Sequence, residues 1–164
     1  MFRYFYPDEY EESAYAIDYE AYYNDGFRAV MFDIDNTLVP HGAPADIKAI
    51  ELFKKLSRIG LKACLISNNK IQRVKSFADK VGAFYVEDAH KPSRKGYLRG
   101  MEEMGTDINN TLFVGDQLFT DVWGAKRTGL KSILVRPIDT KEEFQIILKR
   151  YPERLILHFY RKSR

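Results

Sequence analysis

Two aspartates one residue apart, with a threonine two positions on, close an apolar run as Ala29-Val30-Met31-Phe32-Asp33-Ile34-Asp35-Asn36-Thr37. Carboxylates crowded in one cleft raise one another's pKa unless a cation offsets them, and Mg²⁺, a hard ion that takes oxygen ligands, is the natural choice. A helix cap or Asx turn would account for one aspartate, but not for the second or the threonine. A second apolar run, Thr111-Leu112-Phe113-Val114, leads into Gly115-Asp116, and Asp121 follows at a helix start. Alone, Asp121 is equally a residue that the helix dipole favours. A third run ends in Ser67-Asn68-Asn69, a hydroxyl and two amides ahead of a helix N-terminus, where backbone N–H groups favour phosphate. After a fourth run comes His90-Lys91-Pro92-Ser93, in which Lys91 supplies a fixed positive charge. Taken singly, Ser67, Asn68 and Lys91 read more readily as loop caps or a solvated lysine, and their value lies in their order along successive strands.

These residues need elements that bring them together. Short apolar runs alternating with helical patterns predict βαβ units. Five strands are expected at 28–33, 61–67, 83–87, 111–115 and 131–136, and their uniform apolarity suits strands covered on both faces. Helices of period near 3.6 are expected at 46–59, 70–81, 93–104 and 119–128. Their inward stripes would be Ile47, Ile50, Phe53 and Leu56, then Ile71, Val74, Phe77 and Ala78, then Tyr97, Leu98, Met101 and Met104. The expected fold is α/β, a three-layer, doubly wound, mostly parallel five-stranded sheet. In open sheets of this kind ligands bind beyond the carboxyl ends of the strands, so Asp33, Asp35 and Asp116 should converge.

The 164 residues fit one domain, 1–164. The composition, 45% hydrophobic and 30% charged, excludes disorder and coiled coil, and no apolar run is long enough to span a membrane. The lone Cys64 sits in an apolar run and reads as a buried, inert thiol. The net charge of +3 is unevenly spread: residues 1–27 hold one basic residue against seven acidic and ten of the 23 aromatics, whereas 141–164 hold seven basic against three acidic. Segment 1–26 is thus an acidic aromatic N-terminal segment, and 141–164 a basic amphipathic C-terminal one with Phe144, Ile147, Leu148 and Tyr151 on one face. The N-terminus reads as neither secretory signal nor transit peptide, so a cytoplasmic location is expected.

The order Asp33-Ile34-Asp35-Asn36-Thr37, Ser67, Lys91, then Gly115-Asp116 through Asp121, each at the end of a successive strand, resembles the haloacid dehalogenase superfamily over about residues 27–136. The Asn-Thr-Leu ending, Ser-Asn-Asn and Gly-Asp-Gln-Leu-Phe-Thr-Asp are most similar to the capless, type IIIA, YqeG-type phosphatases, a group related to phosphatidylglycerophosphate phosphatases. The resemblance implies a Rossmann-like core without a cap domain, and the spacings between the motifs leave no room for one.

It also implies Mg²⁺-dependent hydrolysis of a phosphomonoester through an aspartyl-phosphate. Asp33 would be the nucleophile and Asp35 the general acid and base, which calls for an Asp35 pKa nearer neutrality than usual. Ser67, Asn68 and Lys91 would bind the phosphoryl group, and Asn36 and Thr37 would orient the first loop. Asp33, Asp35 (through its carbonyl), Asp116 and Asp121 would hold the metal. An uncapped site suits a large or membrane-associated substrate such as phosphatidylglycerophosphate. A soluble sugar phosphate, nucleotide or phosphoprotein is the alternative, and a phosphoacceptor or inactive binding module the non-enzymatic one. The basic C-terminus suggests peripheral contact with an anionic membrane; no nucleic-acid partner is expected. The N-terminal aromatics are expected to pack on the body and border the open cleft.

Overall fold

The computed structural model describes residues 2–139 and 144–163, with side chains for all of these except 144–147. Five strands occur where the apolar runs predict them: β2 (Ala29–Phe32), β3 (Lys62–Ile66), β4 (Phe84–Val86), β5 (Thr111–Gly115) and β6 (Lys131–Val135). A sixth precedes them, β1 (Glu9–Glu11), so the expected five-stranded sheet is corrected to six. The order is β1-β6-β5-β2-β3-β4, and every pairing is parallel. β1 has no apolar run of its own. It becomes a strand by pairing Glu9, Tyr10 and Glu11 with Ile133, Leu134 and Val135 at the edge of β6.

The chain winds outward from β2 in both directions, so the topology switches between β2 and β5. Alternate residues of β2 face opposite layers. Val30 and Phe32 join the cluster containing Tyr19, Phe53, Leu56, Val74 and Phe77, from α1 (Tyr19–Asn24), α2 (Ile47–Ile59) and α3 (Ile71–Val81). Ala29 and Met31 join Cys64, Tyr97, Met101, Phe113 and Ala125 on the other face, under α4 (Arg94–Met104) and α5 (Trp123–Thr128). Asp46 caps α2 by accepting from the Ala49 N–H, and Gly60 ends the helix at φ 102°, a left-handed value that a side chain resists. The buried face of α2 is Ala49, Leu52, Phe53 and Leu56. Ile47, expected inward, lies on the first turn and is 79% exposed, and Ile71 and Leu98 are likewise exposed. Burial pushes the Cys64 thiol up to about 12, which keeps it protonated.

Only α2 lies between β2 and β3, and only α3 between β3 and β4, so no cap domain is inserted. A third cluster, Leu118, Val122, Leu134 and Ile156 with Phe5, Tyr6 and Tyr10 against it, joins the two terminal segments. Here α6 (Phe144–Lys162) packs through Ile156 and Tyr160. Phe144 and Ile147 have side chains outside the described residues, and their expected face-mates Leu148 and Tyr151 are exposed.

Several of the N-terminal aromatics pack on the body, whereas Tyr4 is exposed. Phe5 meets Phe119 edge-on at 5.2 Å and Tyr6 meets Tyr160 at 5.4 Å, while the buried Tyr19 donates its hydroxyl to the Ala14 carbonyl at 2.6 Å. Asp8 Oδ2 accepts from Ser132 N at 2.8 Å and from Ser132 Oγ at 3.0 Å. Deleting residues 1–27 would therefore expose the edge of β6 and an apolar cluster together. The truncated chain is expected to be insoluble or to lose its cooperative melt, as measured by soluble yield and circular dichroism. A soluble protein melting like the full chain would contradict this.

Candidate active site

Asp33 and Asp116 directly follow β2 and β5, the two strands at the topological switch, and Asp33 N–H donates to the Val114 carbonyl at 3.0 Å. Adjacent parallel strands thus hold both carboxylates at one height. The turn after Gly115 returns Asp121 to the same place, where its Oδ2 accepts from the backbone N–H of Asp116 and of Gln117, each at 3.1 Å. Oxygens of Asp33, Asp116 and Asp121 lie within 4.8 Å of one another, and all three residues are buried.

Gly115 permits that return. A Cβ at this position would stand 2.5 Å from Asp121 Oδ2 and 2.6 Å from its Cβ. Gly115→Ala is therefore expected to destabilise the fold by about 1–3 kcal/mol through overpacking. By moving Asp121 it should also lower turnover, up to about 100-fold. Thermal melts and rate measurements together check this, and native values in both would show that the loop has room to spare.

Three neighbouring carboxylates need counter-charge. Lys91 Nζ donates to Asp33 Oδ1 and to Asp121 Oδ1, both at 2.7 Å, with only 3% of its side chain exposed. Burial alone would lower the Lys91 pKa, but Asp121 and Asp33 outweigh it and hold the ammonium charged. For Asp33 burial wins over Lys91 and pushes the carboxyl up to about 7. Asp116 is also raised, by burial and then by the charges of Asp33 and Asp121. Thr37 Oγ1 lies between them, 3.5 Å from Asp33 Oδ2 and 3.3 Å from Asp116 Oδ1.

The other expected residues surround this centre. Ser67 is buried, and its Oγ accepts from Asn69 N and Asn69 Nδ2, each at 3.1 Å. Asn68, expected at the phosphoryl group, uses both ends of its amide on the main chain of Lys91: Oδ1 accepts from Lys91 N at 2.7 Å, and Nδ2 donates to Lys91 O at 3.3 Å. In this geometry it holds Lys91 in place. Asn36 takes φ 62° and braces the loop after β6, its Oδ1 accepting from Asp139 N at 3.2 Å.

Asp35 stands apart from the acidic cluster and differs from expectation. Its Oδ1 accepts from Gly42 N at 2.7 Å and Arg73 Nη2 at 2.9 Å, and its Oδ2 from Asn69 Nδ2 at 2.6 Å. Burial would raise this carboxyl, but the Gly42 N–H and the Arg73 guanidinium overcome it and leave the pKa below the usual value. The near-neutral Asp35 expected from sequence is therefore absent from this arrangement.

Two neighbours of the carboxylates are not legible in the sequence. Arg73 lies on the polar side of α3. Arg150 lies on α6; its Nη2 donates to Asp116 Oδ2 at 2.5 Å and its Nη1 to Asp116 O at 2.7 Å and Glu153 Oε2 at 3.0 Å. Glu153 Oε1 in turn accepts from Leu118 N at 3.0 Å, which fixes α6 to the loop after β5.

The donor set suits a hard divalent cation, which takes oxygen ligands and keeps several waters. Lys91, with Arg150 shared between Asp116 and Glu153, offsets only part of the clustered negative charge, and a cation with Asp33, Asp116 and Asp121 as ligands could balance the rest.

The sequence pattern of the haloacid dehalogenase-like hydrolases matches residues 44–129. The chain is 34% identical over 156 residues, 94% of its length and 91% of the other's, to a Bacillus subtilis (strain 168) protein named "Probable phosphatase YqeG". Among solved structures, a Xanthomonas campestris protein is similar at TM-score 0.56 and 22% identity, over 73% of this chain and 68% of that one. CbbY from Rhodobacter sphaeroides, solved in complex with phosphate, is similar at TM-score 0.51 and 14% identity, over 72% and 90%. At such identities these two likenesses concern the fold.

Proposed function

The chain belongs to the haloacid dehalogenase-like hydrolases, and on that premise we propose that it is a Mg²⁺-dependent phosphomonoesterase that works through an aspartyl-phosphate on Asp33. The observation that carries this reading is the buried cluster of Asp33, Asp116 and Asp121 bridged by Lys91. Few structural needs would assemble three desolvated carboxylates, and a site that receives both a cation and a phosphoryl group would.

In the first half of the reaction an Asp33 oxygen forms a bond to phosphorus, the bond to the leaving oxygen breaks, and Asp35 supplies that oxygen's proton. In the second half water attacks phosphorus, the bond to Asp33 breaks, and Asp35 takes the water's proton. As it stands, Asp35 is suited to the second role, because Arg73 and Gly42 keep it ionised. The first role requires those contacts to loosen as substrate arrives. Lys91 and Ser67 stabilise the charge on the transferring phosphoryl oxygens, Asn68 positions Lys91, and Thr37 and Asn36 orient the first loop. A bound Mg²⁺, held by Asp33, Asp116 and Asp121 with the Asp35 carbonyl, would supply charge neutralisation to the phosphoryl oxygens.

The absence of an inserted cap supports a large or membrane-associated substrate such as phosphatidylglycerophosphate. α6 adds to this support, because Leu148, Tyr151, Leu155 and Phe159 stand exposed along it, and Arg154, Arg161 and Lys162 flank them with positive charge. Among the described residues no helix is long and apolar enough to cross a membrane, so this contact would be peripheral. The test is a Mg²⁺-dependent phosphate-release screen covering p-nitrophenyl phosphate, phosphatidylglycerophosphate in micelles, sugar phosphates, nucleotides and phosphopeptides, with Asp33→Asn as the blank. Release no greater than the blank on every substrate refutes the phosphatase reading, and a strong preference for a soluble metabolite refutes the lipid one.

A further inference from the structure

Beside the acidic cluster lies a cavity of about 490 Å³, within the range of small-molecule sites. Asp116 lines it together with Arg136, Arg150, Arg154, Arg161, Tyr10 and Leu157. The two oxygens of Asp116 have different partners: Oδ1 accepts from Thr37 on the Asp33 side, while Oδ2 accepts from Arg150, which also lines the cavity.

Among the described residues four guanidinium groups meet three carboxylates here, since Asp139 and Glu153 also line the cavity. Both Asp116 and Glu153 are already bonded to Arg150. The outer arginines are poorly neutralised. Arg136 pairs with Glu12 at 3.2 Å, but both side chains are about 70% exposed (68% and 73%), so the pair is weak. Arg161 lies 5.6 Å over the Tyr10 ring and Arg154 5.9 Å from the Tyr151 ring. Aromatic faces hold a guanidinium in place without cancelling its charge. Among the described residues no carboxylate pairs with Arg154 or Arg161. Arginine forks match phosphate oxygens two at a time, which a lysine does not.

We propose that this cavity is a subsite for a second anionic group, a phosphate or phosphodiester, on the organic part of the substrate. The preferred substrates are then phosphomonoesters that carry a further phosphate beyond the scissile one. This rests on the phosphomonoesterase reading above and narrows it. The scissile phosphate sits at Asp33 with Lys91, the leaving group crosses Asp116, and the second anion lands among Arg136, Arg154 and Arg161. Tyr10 and Leu157 flank the linkage between the two anions.

The test compares kcat/KM of the full chain with Mg²⁺ on p-nitrophenyl phosphate, which has one anion, with fructose 1,6-bisphosphate, a soluble two-phosphate substrate, and with phosphatidylglycerophosphate in mixed micelles. At least one of the latter two is expected to exceed p-nitrophenyl phosphate tenfold, and which one does so tells whether the second anion is soluble or part of a lipid. In Arg154→Gln/Arg161→Gln that selectivity ratio falls at least tenfold, and further in Arg154→Glu/Arg161→Glu. An Arg154→Lys variant, which keeps the charge but not the fork, falls between. Absence of any preference in the native chain, or a ratio that survives charge reversal, overturns the subsite. Turnover of p-nitrophenyl phosphate above the Asp33→Asn blank reports separately on the phosphatase reading. Calorimetric binding of fructose 1,6-bisphosphate or the micellar lipid to Asp33→Asn, expected to weaken at least tenfold on adding the two glutamines, tests the subsite even if that reading fails. Unchanged binding of both would overturn it.

Discussion

Asp33→Asn is expected to abolish phosphate release, lowering kcat by at least about 10³-fold, while leaving the fold intact. Loss of a nucleophile in a well-studied hydrolase lowers kcat on the order of 10⁶-fold, and an amide cannot form the acyl phosphate on which both half-reactions depend. Asparagine keeps the volume of the side chain, so packing after β2 is preserved. It also relieves strain in the charge balance. Asp33 is raised from 3.8 to about 7, and an acid raised in the folded state withdraws stability as pH climbs between those two values. At neutral pH in chelator the variant should therefore melt at or above the native temperature. The pairing of a lost rate with a retained or raised melt is diagnostic. A residual rate above one tenth of native would remove Asp33 from the nucleophile's role, and a collapsed fold would show that its charge is structural.

Lys91→Met is expected to show the opposite pattern, losing stability as well as rate. The Lys91 side chain is almost wholly buried and bonds to Asp33 and Asp121 at once. Methionine of similar length leaves two desolvated carboxylates facing each other, and breaking a buried ion pair from one side costs about 3–5 kcal/mol. For a chain of this size that is a fall in Tm of about 6–20 °C. A divalent cation should recover part of the loss, about 2.7 kcal/mol at one hundred times its Kd. Turnover should fall about 10²–10³-fold even with the metal present, as for other lost donors to a developing oxyanion. Melts in chelator and in excess Mg²⁺, alongside rates, check each part. A Tm in chelator within 2 °C of native would mean that the pair contributes little.

The legible parts of this protein were those fixed by local chemistry. Apolar runs of four to six residues punctuated by glycine gave β2 to β6, because parallel strands covered on both faces need no polar alternation. Since each run leads into polar residues at its carboxyl end, Asp33, Ser67 and Asp116 immediately and Lys91 five residues past β4, their positions at one edge of the sheet follow from the order of the runs. β1 was not legible. Glu9-Tyr10-Glu11 carries two charges, and only the open edge of β6 makes it extended. Ile47 is exposed although it shares the apolar stripe of α2, because periodicity gives the stripe of a helix but not which turn overhangs the layer beneath.

The site divides the same way. The sequence by itself determined which groups gather at the site, two carboxylates on one strand end, a third on its neighbour, a lysine and a hydroxyl, because side-chain type and strand polarity are local properties. Only the tertiary structure decided their charge states and partners. Arg73 meets Asp35 across 38 residues and Arg150 meets Asp116 across 34, each from a helix whose charged side reads in sequence as solvent-facing. Electrostatic energy depends on distance through space and on burial, neither of which a spacing of residues along the chain records.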